Sequence, residues 1–274
     1  MERLNGVVIS NKEYRKHEGI SKSDLHILTK SPAHFKYAME HRVENDSAAL
    51  LFGRAAHKAV LEPETFCNEF CIEPELNKRT KEGKQAYELF LLENEGKDVI
   101  SKKDAETVLG MRDAISKHKF ASKLLTGVYE KSFFWKDEAT GEMCKCRPDC
   151  ITKIGDQYIC VDYKTASDAE TTAFMRSAIQ NGYDLQAAMY TEGLKANTGE
   201  DFMFVFVAQE KKPPYAINIL QADEFFIREG SILFHDLLEI YHNCKETDNW
   251  YGYEGEEGNI ASLGLPKWLQ KEFE

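Results

Sequence analysis

Apolar positions recur every three to four residues along the first 125 residues, a spacing that predicts a mainly helical segment. Residues that commonly cap helices precede the apolar stretches. They are the segment Ser21-Lys22-Ser23-Asp24, the pair Ser31-Pro32 and the pair Asp46-Ser47. Two further amphipathic helices are predicted at about 81–95 and 102–118.

Near Val128 the apolar spacing shortens to two residues, which is typical of strands. Strands are predicted in YEKSFFW, MCKCRPDCITK, QYICVDYKT, FMFVFVAQE and PYAINIL. Helices are predicted at 169–180, at 183–196 and at about 222–245. The expected fold class is α/β (α+β), with a central mixed, largely antiparallel sheet flanked by helices and a helical N-terminal part.

The composition contains no repeat or linker that would divide the chain, so we expect a single domain over 1–274. Its parts would be a mainly helical segment 1–125, a sheet core 126–220, and a C-terminal helix and tail 221–274. The tail aromatic residues pack either on the core of their own chain or on a neighbouring subunit. They are Trp250, Tyr251, Tyr253 and Trp268.

A hairpin is predicted between the second and third strands, because Gly155-Asp156 suits a two-residue turn. With this turn, Asp149 lies directly opposite Asp162, and Arg147 lies opposite Lys164. Alternate strand residues share a face, so Asp162 and Lys164 project to the same side.

Two carboxylates that face each other across a strand pair repel, and a divalent cation between them would remove the conflict. Oxygen ligands of this kind suit magnesium or manganese. Lys164 could then hold or deprotonate a water that attacks phosphorus. The alternative is a chance D-x-K on a solvated strand. Pro148 lacks a backbone N–H, so the register is weakest there.

The formal net charge of −11 argues against a protein that coats nucleic acid, because such proteins present a basic surface. A local basic groove remains compatible with this charge. No stretch approaches the roughly 20 apolar residues of a membrane span, and the start MERLNGVVIS lacks the apolar core of a signal peptide. We therefore expect a cytoplasmic protein with no membrane partner.

Seven cysteines at irregular spacing indicate reduced thiols. Cys144, Cys146, Cys150 and Cys160 lie close together, but no C-x-x-C pair is present. We expect small, half-buried strand residues here instead of metal ligands.

Four short elements, in this order along the chain, resemble the PD-(D/E)XK nuclease superfamily in its RecB/RecE-like branch. They are G-x-x-x-H from Gly53 to His57, Arg147-Pro148-Asp149, Asp162-Tyr163-Lys164, and Q-x-x-x-Y from Gln186 to Tyr190. The opening ISKSDLHILTKSPAHFKYAME is similar to the start of phage RecE-type exonucleases. The resemblance covers about residues 18–200 and implies a restriction-endonuclease-like core.

The resemblance implies that His57, Asp149 and Asp162 ligate Mg²⁺, with Mn²⁺ able to substitute. The backbone carbonyl of Tyr163 would join them, and Lys164 would be catalytic. Gln186 and Tyr190 lie four residues apart on one helix face and would border the site.

Glu130 is a candidate for another carboxylate, although a solvated strand glutamate is the commoner role. The basic candidates for a DNA path are Arg54, Arg147 and Arg176, together with Lys22, Lys30 and Lys36. Most such residues serve solubility, and we expect only a few to contact DNA.

The resemblance further implies an exodeoxyribonuclease that degrades linear double-stranded DNA from its ends, 5′ to 3′, in phage-type homologous recombination. A homo-oligomeric ring and a single-strand annealing recombinase as partner belong to the same expectation. One alternative is a helicase-associated or CRISPR-adaptation-type nuclease, which is less favoured because only Cys244 follows Tyr190. The other is a noncatalytic DNA-binding module that retains the fold.

Overall fold

The computed structural model describes residues 6–41 and 47–264 of the chain. Its helices are α1 (Asn11–Lys16), α2 (Lys22–Leu28), α3 (Pro32–Glu40), α4 (Ala48–Leu61), α5 (Phe66–Glu69), α6 (Lys81–Glu93), α7 (Lys102–Lys117), α8 (Ala121–Leu124), α9 (Thr171–Gln180), α10 (Tyr183–Thr198) and α11 (Glu224–Thr247). Its strands are β1 (Phe70–Ile72), β2 (Asp98–Ile100), β3 (Val128–Tyr129), β4 (Phe133–Lys136), β5 (Met143–Cys146), β6 (Cys150–Ile154), β7 (Gln157–Ala166), β8 (Phe202–Glu210) and β9 (Ile217–Gln221).

The central sheet has five strands in the order β3-β6-β7-β8-β9. The β7–β8 pair is parallel, whereas the β3–β6, β6–β7 and β8–β9 pairs are antiparallel. Helices flank this mixed, mostly antiparallel sheet, which confirms the expected fold class. The predicted hairpin is also confirmed, since β6 and β7 pair from Cys150↔Val161 to Ile154↔Gln157 around the turn. Gly155 at the turn has φ +61°, a value that glycine adopts at little cost.

Strands β7 and β8 are buried on both faces, because helices cover each side of the sheet. On one face, Cys160, Phe204 and Phe206 belong to a core that includes buried residues of α9, α10 and α11. On the other face, Val161 and Val205 belong to a core with α4 and α7. The sheet therefore forms the middle of three layers.

The helix starts follow the capping residues seen in the sequence. Ser21 caps α2 in a capping box with Asp24, and Ser31 caps α3 with Pro32 in its first turn. Ser47 caps α4 by accepting from the backbone N–H of Leu50, while Asp46 lies outside the described residues. These hydrogen bonds satisfy backbone N–H groups that have no partner within the helix.

Two of the predicted strands are wrong in extent, because each is divided into two shorter strands. The stretch YEKSFFW divides at Glu130, whose φ of +50° ends β3, and MCKCRPDCITK divides between Cys146 and Cys150. Pro148 lies in the second break and cannot donate to a ladder. As a result, β4 and β5 pair with each other in a separate two-stranded sheet.

The clustered cysteines differ from expectation, since the predicted strand that holds Cys144, Cys146 and Cys150 is divided in two. Cys144 and Cys146 lie on β5, Cys150 on β6 and Cys160 on β7, and all four are fully buried instead of half-buried. Burial raises the pKa of each thiol, and it raises that of Cys150 to about 12. A second unpredicted feature is the short parallel β1–β2 pair within the mainly helical N-terminal segment.

The tail after α11 contacts its own chain through Trp250. The Trp250 ring stacks on Phe35 with centroids 5.6 Å apart, and the Tyr251 carbonyl accepts a hydrogen bond from the Ala33 N–H. Tyr253 is 75% exposed, and Trp268 lies outside the described residues. Within 6–41 and 47–264, no helix combines the length and apolarity that crossing a membrane requires.

We predict that Gly230→Ala destabilises the protein, because a Cβ there would lie 2.1 Å from the backbone oxygen of Asp184. The helices α10 and α11 would have to move apart, which typically costs about 1–3 kcal/mol or more. The measurement is the free energy of unfolding in urea.

The control is Gly53→Ala in α4, where a Cβ would meet nothing within 4 Å. This change is expected to be neutral or to stabilise the helix by up to about 1 kcal/mol. Equal unfolding free energies for the two variants would contradict the close packing of α10 and α11.

Candidate active site

The candidate site lies where the β6–β7 ladder ends. The last Cα pair is Cys150↔Val161, so Asp149 and Asp162 follow one step beyond it. Asp149 accepts a hydrogen bond on Oδ2 from the backbone N–H of Tyr163, at 2.8 Å. The carboxylate of Asp149 is therefore fixed to the backbone of β7, next to Asp162. The ladder does not reach Arg147, and the predicted pairing of Arg147 with Lys164 is not formed.

Asp149 and His57 form the half of the site that faces α4. The Nδ1 atom of His57 lies 3.5 Å from Oδ2 of Asp149. Burial, together with the negative charge of Asp162, raises the pKa of Asp149 to about 8. Burial and the positive charge of Lys164 lower the pKa of His57, which keeps the imidazole neutral and able to ligate a metal.

The Tyr163 residue supports this half of the site from beneath. Its ring packs edge-on against His57, with centroids 5.2 Å apart. Its hydroxyl donates to Gln209 Oε1 at 2.6 Å inside the core. Tyr163, which carries the candidate carbonyl ligand, is therefore held by Asp149 at its backbone N–H and by His57 and Gln209 at its side chain.

Asp162, Lys164 and Gln186 form the other half of the site. The ammonium of Lys164 lies 2.8 Å from Asp162 Oδ2 and donates to Gln186 Oε1 at 3.1 Å. The Nε2 group of Gln186 donates to Asp162 Oδ1. Burial opposes the charge of Lys164, but the nearby Asp162 and Asp149 outweigh it and raise the lysine's pKa.

Tyr190 lies one helical turn after Gln186 and packs against the core. Its ring meets Phe204 edge-on, with centroids 6.3 Å apart. Burial raises the pKa of its hydroxyl, and the charges of Asp162 and Asp149 contribute to this shift. Tyr190 is therefore close enough to the two aspartates for their charges to affect the pKa of its hydroxyl.

Glu130 enters the same cleft from the end of β3. Its backbone N–H donates to the carbonyl of Asp149 at 3.3 Å, and its carboxylate lies 2.7 Å from Nε of Arg147. Ligand atoms of His57, Glu130 and Asp149 all lie within 4.8 Å of one another. Burial and the charge of Asp149 raise the pKa of Glu130 to about 7. The left-handed backbone that turns Glu130 inward had no signal in the sequence.

The remaining basic candidates lie at different distances from the site. Arg54 and Arg147 line a cleft of about 740 Å³ together with Lys58, His57 and Lys164. Arg54 is bound to Asp98 at 2.7 Å.

Three further candidates lie outside the residues that line this cleft. Arg176 is exposed on α9, Lys30 is exposed after α2, and Lys36 pairs with Asp248 at 2.8 Å. None of the three has a described contact with the site residues.

Lys22 lies beside the catalytic lysine candidate. Its ammonium donates to the Asn181 carbonyl at 2.5 Å and lies 5.5 Å from the centre of the Tyr183 ring. Lys164 approaches the same ring at 4.6 Å. Burial and repulsion from Lys164 lower the pKa of Lys22 to about 8. Of the three candidates Lys22, Lys30 and Lys36, Lys22 is thus the one whose described contacts place it next to Lys164.

The donor atoms of the site fit a divalent cation. Carboxylates from Asp149 and Asp162, an imidazole from His57 and the Tyr163 carbonyl are ligands that Mg²⁺ and Mn²⁺ accept. Asp162 is 2% exposed, and its Oδ2 lies 2.8 Å from the Lys164 ammonium. This ammonium offsets the charge of one carboxylate, and a cation would offset the charge of the second.

We predict that divalent-ion affinity rises with pH and levels off above about 8. Below the raised pKa of Asp149, about 8, a proton occupies this carboxylate. An ion must displace that proton, so affinity falls as pH falls, by up to about tenfold per pH unit for each proton displaced.

The measurement is Mn²⁺ titration calorimetry at pH 6, 7 and 8 in buffers of different ionisation enthalpy. Proton release should be largest at the lowest pH. Asp149→Asn is the control, since it removes one titrating group. An affinity that does not change with pH and is unaccompanied by proton release would contradict the prediction.

The fold resembles that of solved structures. A crystal structure described as "Putative exonuclease" from Eubacterium rectale aligns with a TM-score of 0.62 at 15% sequence identity, over 95% of this chain and 97% of that chain. At this identity the likeness concerns the fold alone. The crystal structure of SSO0001 aligns at a TM-score of 0.37 and 14% identity, over 84% of this chain and 81% of that one.

The sequence comparisons agree with this fold. No curated protein matches the sequence. The family model described as "PDDEXK-like domain of unknown function (DUF3799)" matches residues 21–260, a range that includes every site residue described above. The resemblance to PD-(D/E)XK nucleases is thereby confirmed, and the chain belongs to this PDDEXK-like family.

Proposed function

We propose that this protein is a magnesium-dependent exodeoxyribonuclease that hydrolyses phosphodiester bonds of linear double-stranded DNA, with Mn²⁺ able to replace Mg²⁺. The proposal rests on the contacts of the Lys164 ammonium. Its ammonium is held between Asp162 and Gln186, beside the partly buried carboxyl group of Asp149 and a neutral His57. Nucleases of this superfamily generally use divalent metals.

Each group of site residues has a separate role in the proposed hydrolysis. His57, Asp149, Asp162 and the Tyr163 carbonyl would hold the cation, which when bound supplies a Lewis acid for the phosphate and the attacking water. Lys164 donates hydrogen bonds toward that water or a phosphate oxygen. Since the Gln186 amide binds both Asp162 and Lys164, the lysine is oriented before the substrate arrives.

Duplex DNA is the substrate that the cleft and the resemblance together favour. Arg54 and Arg147 line the cleft, and Lys22 lies next to Lys164. Positive side chains near the reacting phosphate position the backbone without reading sequence. They act locally, because the chain as a whole carries a formal net charge of −11.

The exonuclease mode has support separate from that for the hydrolytic chemistry. It follows from the resemblance to phage RecE-type enzymes and from the name of the Eubacterium rectale structure. The same resemblance supports 5′-to-3′ polarity, a homo-oligomeric ring around DNA, a single-strand annealing recombinase as partner, and a role in phage-type recombination. A noncatalytic module is less favoured, since Asp149, Asp162 and Lys164 are all present and lie in one connected site.

The test compares degradation of linear and covalently closed duplex DNA with Mg²⁺ or with EDTA. We expect the wild type to degrade linear DNA only with Mg²⁺, and Asp162→Ala and Lys164→Ala to lose at least about a hundredfold in rate. The matched control is Lys30→Ala, an exposed lysine without a described contact to the site. Unchanged degradation by either site variant would refute the mechanism.

Two further measurements test the exonuclease mode and the polarity of cleavage. Cleavage of the closed circle as fast as linear DNA would refute the exonuclease mode and leave hydrolysis intact. A label at one 5′ end determines polarity, because 5′-to-3′ digestion releases it in the first products.

We also predict that Gln186→Leu lowers kcat about 10- to 100-fold, since the lysine and the carboxylate lose their shared amide. The substitution preserves most of the side-chain volume, so the protein should remain folded. The measurement is kcat on linear DNA, with circular dichroism to confirm folding. Gln157→Leu, on an exposed position of β7, is the control, and equal kcat values for both variants would contradict the positioning role.

A further inference from the structure

Glu130 and Asp149 face each other across neighbouring strands. The β3–β6 register pairs Val128 with Ile151 and Tyr129 with Cys150, so the next step brings Glu130 to Asp149. The hydrogen bond from the Glu130 N–H to the Asp149 carbonyl continues this pairing. The β6–β7 register likewise brings Asp149 to Asp162. Three acidic residues therefore follow one another at a single level of the sheet.

The positions of the ligand atoms divide this row into two parts. The group within 4.8 Å consists of His57, Glu130 and Asp149. Asp162 instead contacts Lys164 and Gln186. An imidazole and two carboxylates thus converge at Asp149.

We propose that Glu130 is a further ligand of the divalent ion, which it would bind together with His57 and Asp149. The inference rests on the metal dependence in the proposed function and adds a residue outside the D-x-K hairpin. Glu130 lines the same cleft as His57 and Lys164, so an ion can reach it from solvent. Carboxylate oxygens are the ligands that such hard cations prefer.

The competing role for Glu130 is a structural ion pair with Arg147. Their nearest atoms are 2.7 Å apart, but Nε and Nη1 of Arg147 are buried and form no hydrogen bond of regular geometry within the described chain. The guanidinium is thus not aligned on the carboxylate as a bidentate pair would be. One carboxylate oxygen contacts Arg147, and the other can turn to an ion.

A second observation points to a cation at this place. Asp162, next in the row, is almost completely buried, and its Oδ2 lies 2.8 Å from the Lys164 ammonium, which offsets one of the three carboxylates. Lys164 and Arg147 bring two positive charges to three carboxylates, which leaves an excess of negative charge when all three are ionised. Charge that is excluded from water requires such compensation, and a divalent ion supplies it.

The experiment measures Mn²⁺ binding to purified protein by calorimetry and by electron paramagnetic resonance, without DNA. We expect Glu130→Gln to raise the Kd for Mn²⁺ at least tenfold, and to reduce the rise in melting temperature that Mn²⁺ produces. The matched control is Glu62→Gln, which removes the same charge from the cleft where Glu62 pairs with Lys58 at 2.9 Å. Its Kd should stay within about twofold of wild type.

Glu130→Asp keeps the charge and shortens the side chain, so its Kd should lie between those of wild type and Glu130→Gln. If Glu130→Gln folds poorly, the Kd of Glu130→Asp for Mn²⁺ is compared with that of wild type instead. The inference is overturned if the folded variants bind Mn²⁺ with the wild-type Kd. It is also overturned if Arg147→Gln and Glu130→Gln lower the metal-free melting temperature equally while both keep wild-type affinity.

The reference variant Asp149→Asn separates this inference from the proposed function. If wild type binds no Mn²⁺, or if Asp149→Asn binds as wild type does, the metal-dependent function itself fails. If Asp149→Asn loses binding and Glu130→Gln retains it, only the role of Glu130 fails.

Discussion

The negative charge of the buried Asp162 beside the partly buried carboxyl group of Asp149 is the constraint around which the site is built. In a medium of low polarity such a pair is unfavourable, and the raised pKa of Asp149 reflects this. The neighbouring groups each offset part of the cost. The Tyr163 N–H binds Asp149, while Lys164 and Gln186 bind Asp162. The negative charge that these groups leave uncompensated can be balanced by a divalent cation.

The groups that offset this cost come from both faces of the sheet. Tyr163 packs into the core beneath α4, and α4 carries His57 to the Asp149 carboxylate. Asp162 points to the opposite face, where α10 supplies Gln186. Because β7 alternates its side chains between the two faces, one strand connects residues from both helical layers. The three-layer architecture is thus what allows an imidazole and an amide to meet at adjacent carboxylates.

The cleft combines a local positive lining with an acidic protein. Arg54, Lys58 and Arg147 line it, and each is held by a carboxylate, on Asp98, Glu62 and Glu130 respectively. A polyanion entering the cleft would exchange with these carboxylates, so its attraction depends on proximity and not on the overall field. This arrangement reconciles the net charge of −11 with the proposed nucleic-acid substrate.

Local sequence determined the hairpin and most helix starts. Gly155-Asp156 fixes the β6–β7 register because a two-residue turn leaves one pairing, and Ser21, Ser31 and Ser47 cap the helices that follow them. Those features depend on hydrogen bonds between residues that are near in the chain. For the same reason, the common face of Asp162 and Lys164 could be predicted.

Contacts between distant segments determined the rest. The breaks at Glu130 and Pro148 send β4 and β5 into a separate sheet, and they bring Glu130 to Asp149 in place of an Arg147–Lys164 pair. No local pattern encodes this outcome, since it depends on how helices pack against both faces of the sheet. The sequence alone therefore specified the two aspartates and the lysine as a motif. Only the tertiary structure decided which carboxylate lies with His57 and which with Lys164, because that choice is made by side chains from α4 and α10.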